Sequence, residues 1–277
     1  MAFSDNNWHE WICHTNFSFL LGASHPKELV SRAVKLNYSS LGICDYDGVY
    51  GIARAYRALK DLKEDNGQIK LKLRYGAEIH FEKDHDLPIY FQNTLILYAQ
   101  THRGYFNLCK LLTHSHRDGK EYANIPLDFL FASQVDDIIA IQPMRGLIRG
   151  KKGENLEFLA NHFGRLKDHF SERLYFAISR HLNRVEDKWI TPTLKLAKYL
   201  KSPIIPAQDV FFATRQNKDL SDLLHAIRHN KTLDEVSDQL FINSRRCPQP
   251  FSSLRKIYAD IPGIETALKT SEKLAET

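Results

Sequence analysis

With 277 residues the chain is long enough to bury a full hydrophobic core, as one large α/β domain or two smaller ones, and its 38 Lys plus Arg against 33 Asp plus Glu leave a net charge of +5 that permits nucleic-acid contact without requiring it. No run approaches the ~18 apolar residues of a membrane span and no stretch has the pattern of a secretory signal, so a cytoplasmic protein with no membrane partner is expected. The four cysteines, Cys13, Cys44, Cys109 and Cys247, form no CxxC pair and suggest neither a zinc knuckle nor a disulfide framework.

In chain order, the apolar run from Trp8 to Cys13 ends in His14, and a second run, Leu41 to Cys44, ends in Asp45. Between them Ser24 and Pro26 read as a helix start, and Leu29, Val30, Ala33, Val34 and Leu36 give one apolar face at helical spacing. Polar groups at the ends of strands in such a strand, helix, strand unit collect on one rim, so this stretch proposes both a fold and a site. Ile52 to about Glu64 has helical periodicity, Leu71, Leu73 and Tyr75 lead a strand to Gly76-Ala77-Glu78, and Glu82 to Pro88 is polar and turn-like. A fourth strand is predicted over Thr94 to Ala99, with a helix through Tyr105, Leu108 and Leu112 towards His116.

Arg117 to Pro126 reads as a loop, Asp137 to Ile141 as a fifth strand, Arg145 to Lys152 (RGLIRGKK) as a glycine-punctuated basic loop and Leu156 to Phe163 as a short helix. Leu174 to Ile178 is a sixth strand, Trp189 to Leu200 a long amphipathic segment, and Pro203 to Ala207 a seventh strand ending near Asp209. Leu220 to Ile227 is helical and Thr232 to Ser253 irregular, and a tail from about Cys247 to Thr277 has weak helical pattern. Seven βα units in strict alternation predict an α/β fold with a parallel, helix-covered sheet closed as a barrel.

Several segments carry a resemblance to the PHP (polymerase and histidinol phosphatase) domain that opens bacterial DNA polymerase III alpha subunits, especially the error-prone kind. They are His14-Thr15-Asn16-Phe17-Ser18-Phe19-Leu20, Gly22-Ala23-Ser24, Asp45-Tyr46-Asp47-Gly48-Val49-Tyr50-Gly51, Gly76-Ala77-Glu78, Gly104-Tyr105-Phe106-Asn107-Leu108 and Asp209-Val210. The resemblance implies a distorted (β/α)7 barrel of TIM-like type over residues 1–246. Residues 247–277 would form a helical tail equivalent to the start of the connection to a polymerase core.

Active members of that family hold up to three metal ions through His, Asp and Glu, and a metal-bound hydroxide attacks a phosphoester. The resemblance makes His14, Glu78 and Asp209 candidate metal ligands, with Asp45 and His116 as further candidates. It also marks positions where a ligand is lost: Ile12 in the His-x-His motif, Leu21 where Asp is usual, Tyr46 in Asp-His and Phe211 in Asp-x-His. After the fifth strand Gln142-Pro143-Met144 stands where a Cys or His is expected. Tyr46 and Phe211 are expected to fill the metal positions, so that no cofactor is bound; the alternative is one divalent ion, Zn, Mn or Mg.

The Asp-x-Asp pairs Asp45/Asp47 and Asp84/Asp86 have the spacing of a polymerase Mg²⁺ site, but the first lies inside the PHP motif and the second in a polar turn. His80, His102, His162, His169, His181 and His229 follow no ligand spacing and read as surface or packing residues. Arg145, Arg149, Lys151 and Lys152, and the segment Ser244-Arg245-Arg246, are candidates for phosphate contact. The function expected is that of a degenerate PHP domain of an error-prone polymerase, a catalytically silent module that docks a polymerase core or other replication and repair proteins, with weak DNA contact. The rival readings are a phosphoesterase or 3′ to 5′ exonuclease with a reduced metal centre, and a non-catalytic nucleic-acid-binding protein.

Overall fold

The computed structural model describes residues 8–81, 93–117, 123–145 and 156–277. Its strands stand in chain order, β1 (His9–Glu10), β2 (Ser40–Tyr46), β3 (Lys72–His80), β4 (Thr94–Ala99), β5 (Ile138–Pro143), β6 (Leu174–Ile178) and β7 (Ile204–Pro206). The chain divides into two units, the first made of Met1–Asp45, Val49–Tyr75 and Ala207–Pro262, the second of Tyr46–Gly48, Gly76–Pro206 and Gly263–Thr277.

In the first unit β1 and β2 are parallel, with His9 opposite Ser40 and Glu10 opposite Leu41. The connection is α1 (Pro26–Lys35), started one residue later than Ser24 suggested. His25 is its cap, the His25 amide donates to the Glu28 carboxylate at 2.7 Å, and Pro26 opens the first turn where its missing N–H costs nothing. Leu29, Val30 and Ala33 are its buried face, packed on α2 (Ile52–Asp65). The same unit holds α7 (Lys218–His229), ended by Asn230 in the left-handed conformation, and α8 (Phe251–Tyr258), whose Tyr258 hydroxyl donates to the Ala207 carbonyl at 2.6 Å.

The second unit departs from the strictly parallel sheet read from the sequence. β4 runs antiparallel to both neighbours, Glu78 facing Ile96 on one side and Leu97 facing Ala140 on the other. A parallel return needs a crossover, usually helical, and the sequence between β3 and β4 has no apolar period to build one. β5, β6 and β7 are parallel, and the core lies along them: Ile138, Ala140, Ile141, Leu174, Phe176 and Ile205 are fully buried.

Helices α3 (His102–Ser115), α4 (Leu127–Ala132), α5 (Leu156–Phe170) and α6 (Arg184–Tyr199) complete this unit with α9 (Ile264–Leu274), which packs on β7. α4, six residues long, is too short to show a 3.6-residue period and was not anticipated. α5 runs past the expected Phe163 because Leu166 and Phe170 continue its buried side. Among the described residues no helix is long and apolar enough to cross a membrane.

Candidate functional site

In the first unit a backbone bridge sets the geometry of the site. Cys13 and Val210 form an isolated parallel bridge, with His14 N–H donating to the Val210 carbonyl at 2.9 Å and Val210 N–H to Ile12 at 2.8 Å. The bridge lays Ile12-Cys13-His14 beside Asp209-Val210-Phe211, two segments almost two hundred residues apart in sequence. His14 is fully buried and its ring stacks on Phe211, centroids 4.5 Å apart and 19° between planes. Its Nδ1 lies 3.4 Å from the Val210 carbonyl, which can only accept, so that nitrogen carries the proton.

Asp209 adopts φ of 53°, an uncommon backbone for a residue other than glycine and of the kind that concentrates at functional sites. Its carboxylate is paired with Arg246, and both side chains are buried. The Arg246 guanidinium lies over the rings of Phe241, at 4.6 Å, and Phe211, at 5.9 Å. Arg246, expected to reach for phosphate, is thus spent inside the fold.

Asp45 is satisfied by its own unit. It accepts from the Thr15 amide (2.7 Å), the Thr15 hydroxyl (2.9 and 3.0 Å), the Ser18 hydroxyl (2.8 Å) and the Gly51 amide (3.0 Å). Ile12 is completely buried and its amide donates to Glu10, while Leu21 is 4 % exposed. Burial pushes the Glu10 carboxyl up to about 7, against the opposing hydrogen bonds from Ile12, Trp8 and Gln208. Burial also raises the Cys13 thiol well above its ordinary value, so it stays protonated and is no nucleophile.

The second unit contributes the end of β2 and the C-terminal half of β3. Glu78 is completely buried and held at two points by Arg145, Nη1 to Oε1 at 2.5 Å and Nη2 to Oε2 at 2.7 Å. Arg145 Nη1 also donates to the Tyr46 hydroxyl at 3.2 Å. Arg145 therefore turns inward rather than towards a nucleic acid, and Arg149, Lys151 and Lys152 lie outside the described residues.

His80, read from the sequence as a surface or packing residue, is completely buried. Its Nδ1 meets Asp47 Oδ2 at 2.7 Å, its amide donates to Asp47 Oδ1 at 3.0 Å, and its ring stacks on Tyr46 at 5.1 Å. His116, a candidate ligand, donates through Nε2 to the Asp47 carbonyl at 2.7 Å. Of the candidate ligands, then, His14, Asp45 and Asp209 belong to the first unit and Glu78 and His116 to the second. Sequence reasoning missed the two arginines as partners of Glu78 and Asp209, because nothing local marks an ion pair spanning 67 or 37 residues.

The segments around His14, Asp45, Glu78, His116 and Arg145 lie within a stretch that a known family model matches. The family model for the PHP domain matches residues 11–181. The chain belongs to the PHP domain family. This PHP domain is 31% identical over 256 residues to the error-prone DNA polymerase of Anaeromyxobacter sp. (strain K), covering 91% of this chain and 21% of that one. It is 32% identical over 254 residues to the error-prone DNA polymerase of Pseudomonas syringae pv. syringae, with 91% and 22% coverage. The chain thus spans about a fifth of the length of the curated relatives it matches.

Among solved structures, the PHP domain is similar to a candidate metal-dependent phosphoesterase of Bifidobacterium adolescentis (TM-score 0.51, 14% identity, 74% of this chain and 88% of that one). A second is an amidohydrolase from Chromobacterium violaceum (TM-score 0.52, 10% identity, 75% and 88%). At these identities the likeness speaks for the fold alone, and with the seven strands and their helices it gives the expected class, α/β of the distorted (β/α)7, TIM-like PHP type.

Proposed function

We propose that this chain is the PHP domain of an error-prone DNA polymerase III alpha-like protein and that its own hydrolytic site is silent. Its role is then that of a structural or docking module for a polymerase core and other replication or repair proteins in the cytoplasm. The observation that carries this reading is the two-point grip of Arg145 on Glu78. A carboxylate oxygen that accepts a guanidinium N–H at 2.5–2.7 Å is engaged by a fixed positive charge, and a divalent ion approaching it would meet that charge first.

The donor set points the same way. Isoleucine at 12, leucine at 21 and phenylalanine at 211 have no ligand atom, and the tyrosine at 46 is neutral near pH 7 and receives a hydrogen bond from Arg145. These residues do not fit a two- or three-metal phosphoesterase centre. The polymerase role rests on relatives whose length this chain covers by about a fifth.

Elemental analysis of untagged protein incubated with Mn²⁺ and Zn²⁺, beside His14→Ala and Asp209→Asn, tests the reading. The expected result is no stoichiometric ion in the parent and no hydrolysis of phosphodiesters or phosphomonoesters. Retention of an ion per chain that both variants lose would overturn silence and revive the phosphoesterase reading, with hydrolysis of phosphodiesters and phosphomonoesters as the next assay.

A further inference from the structure

Arg145 and Arg246 turn inward on carboxylates, but α3 of the second unit carries cations that stay at the surface. No Asp or Glu occurs between Asp86 and Asp118, a stretch that contains the whole of α3 and includes Arg103, Lys110 and Arg117. Arg103 and Lys110 stand two helical turns apart on one side, about 10 Å along the axis, and Arg117 follows just past the helix end. The helix buries Leu108, Leu111 and Leu112, and its exposed residues are His102, Arg103, Tyr105, Phe106, Lys110 and Thr113. Phe106, 58% exposed, lies between the two cations, with Lys110 Nζ 4.6 Å from its ring centroid. Asp137 holds Arg103 Nε at 2.9 Å, which fixes its place while the side chain remains 67% exposed.

Like charges on one helix face repel, and an acid four residues away would relieve this without touching the core. α3 has none, so its outer face keeps a positive field suited to a polyanion. The centre of a protein interface is depleted in lysine and built on apolar groups, whereas this face exposes no leucine, isoleucine or valine. Phosphates account for the cations but not for two exposed rings. Unstacked bases do, because every base has a face to lay on an aromatic side chain.

We infer that this face of α3 binds single-stranded nucleic acid, with Arg103, Lys110 and Arg117 meeting phosphates and Phe106 and Tyr105 lying against bases. The contact is independent of base sequence. It uses no residue of the Glu78 or Asp209 pairs, so it goes beyond the docking role and does not depend on the silence of the hydrolytic site.

Fluorescence anisotropy of labelled oligothymidylate and oligouridylate with the whole chain tests the inference, with chelator present throughout so that no metal takes part. The parent binds, and between about 50 and 200 mM salt its log affinity falls against log salt with a slope of about −2, for three phosphates on a single strand. Lys110→Ala reduces the slope to about −1.4. Phe106→Ala weakens binding roughly 5- to 100-fold, the loss of one stacked base, and leaves the slope as it was. Both residues are exposed, so the variants melt with the parent and weaker binding reads as lost contact. Lys60→Ala, in the first unit and 61% exposed, binds as the parent does. Binding of either strand supports the inference, and the tighter of the two names the nucleic acid. Absence of binding at the lower salt, duplex of equal length held as tightly, or unchanged affinity in either α3 variant overturns it. Polyglutamate competing as well as the strand at equal charge would assign the face to an acidic protein partner and overturn it too.

Discussion

Phe211 stacks on His14, ring on ring at 4.5 Å, and also meets the ring of Phe241 at 5.1 Å and the guanidinium of Arg246. The ring is completely buried. Truncation removes the stack on His14 and a surface over which Arg246 rests. Phe211→Ala is expected to cost about 3–5 kcal/mol in denaturant unfolding, and Phe211→Leu, which keeps most of the volume, less than half as much. Equal costs for the two would show that the ring contacts, and not filled space, account for the loss.

The tight cradle around Asp45 gives a second prediction. A Cβ placed on Gly51 would stand 2.4 Å from Asp45 Oδ2 and 2.7 Å from the Thr15 hydroxyl, and both atoms are committed to hydrogen bonds. Gly51→Ala should therefore destabilise by roughly 1–3 kcal/mol. At Gly67 an added Cβ meets nothing within 4 Å, so Gly67→Ala should stay within about 0.5 kcal/mol of the parent. Similar losses at the two sites in urea titrations would contradict the placement of Asp45.

Removing the charge of Asp45 is a separate test. Its carboxylate accepts from two backbone amides and two hydroxyls, and an asparagine would turn an NH₂ towards some of those donors. Asp45→Asn is expected to lose about 1–3 kcal/mol, measured as a lower denaturation midpoint, and chelators should neither deepen nor relieve the loss. A chelator-dependent difference between parent and variant would mean that Asp45 holds a metal.

Stability should also depend on pH through three buried groups of the first unit. His225 is brought down to about 4, first by burial and then by the charge of His229, whose ring is 4.5 Å away. His9 is brought down to about 4 by burial and then by Arg74 and Lys72. Both histidines are held neutral in the fold, so their contribution is intact above the unfolded value near 6.5 and is lost as pH falls towards 4. Glu10 acts in the opposite sense: raised to about 7, it contributes fully below 4.5 and the contribution is lost as pH rises through 7.

Two histidines against one carboxyl leave a net decline in melting temperature from pH 6.5 to pH 4. His225→Gln removes one of the two titrations and should flatten that limb, leaving the behaviour above pH 7 unchanged. A limb as steep as the parent's would show that His225 is not held neutral in the fold.

Much of the architecture was legible because its signals are local. The helical faces of α1, α2, α3 and α7 and the apolar runs of β4 and β6 are each contained in one segment, and periodicity finds them. The motif positions at Ile12, His14, Asp45, Tyr46, Glu78, Asp209 and Phe211 were equally plain, since each sits beside a strand end in a short recognisable stretch. The direction of β4 was not, although the absence of a helical period between β3 and β4 already argued against a parallel return.

The sequence by itself determined the family, the seven strands and the identity of the residues at the motif positions, because these are properties of contiguous segments. Only the tertiary structure decided what those residues do. Arg145 and Arg246 belong to basic stretches that would suit a solvated or phosphate-binding surface, and each is instead folded in on a carboxylate. His80 matched no ligand spacing and became the buried partner of Asp47. The physical reason is the same in each case. A buried charge must be met by a counter-charge or by hydrogen-bond donors, but the partner that meets it is chosen by three-dimensional proximity, and proximity across 67 or 37 residues leaves no trace in local pattern.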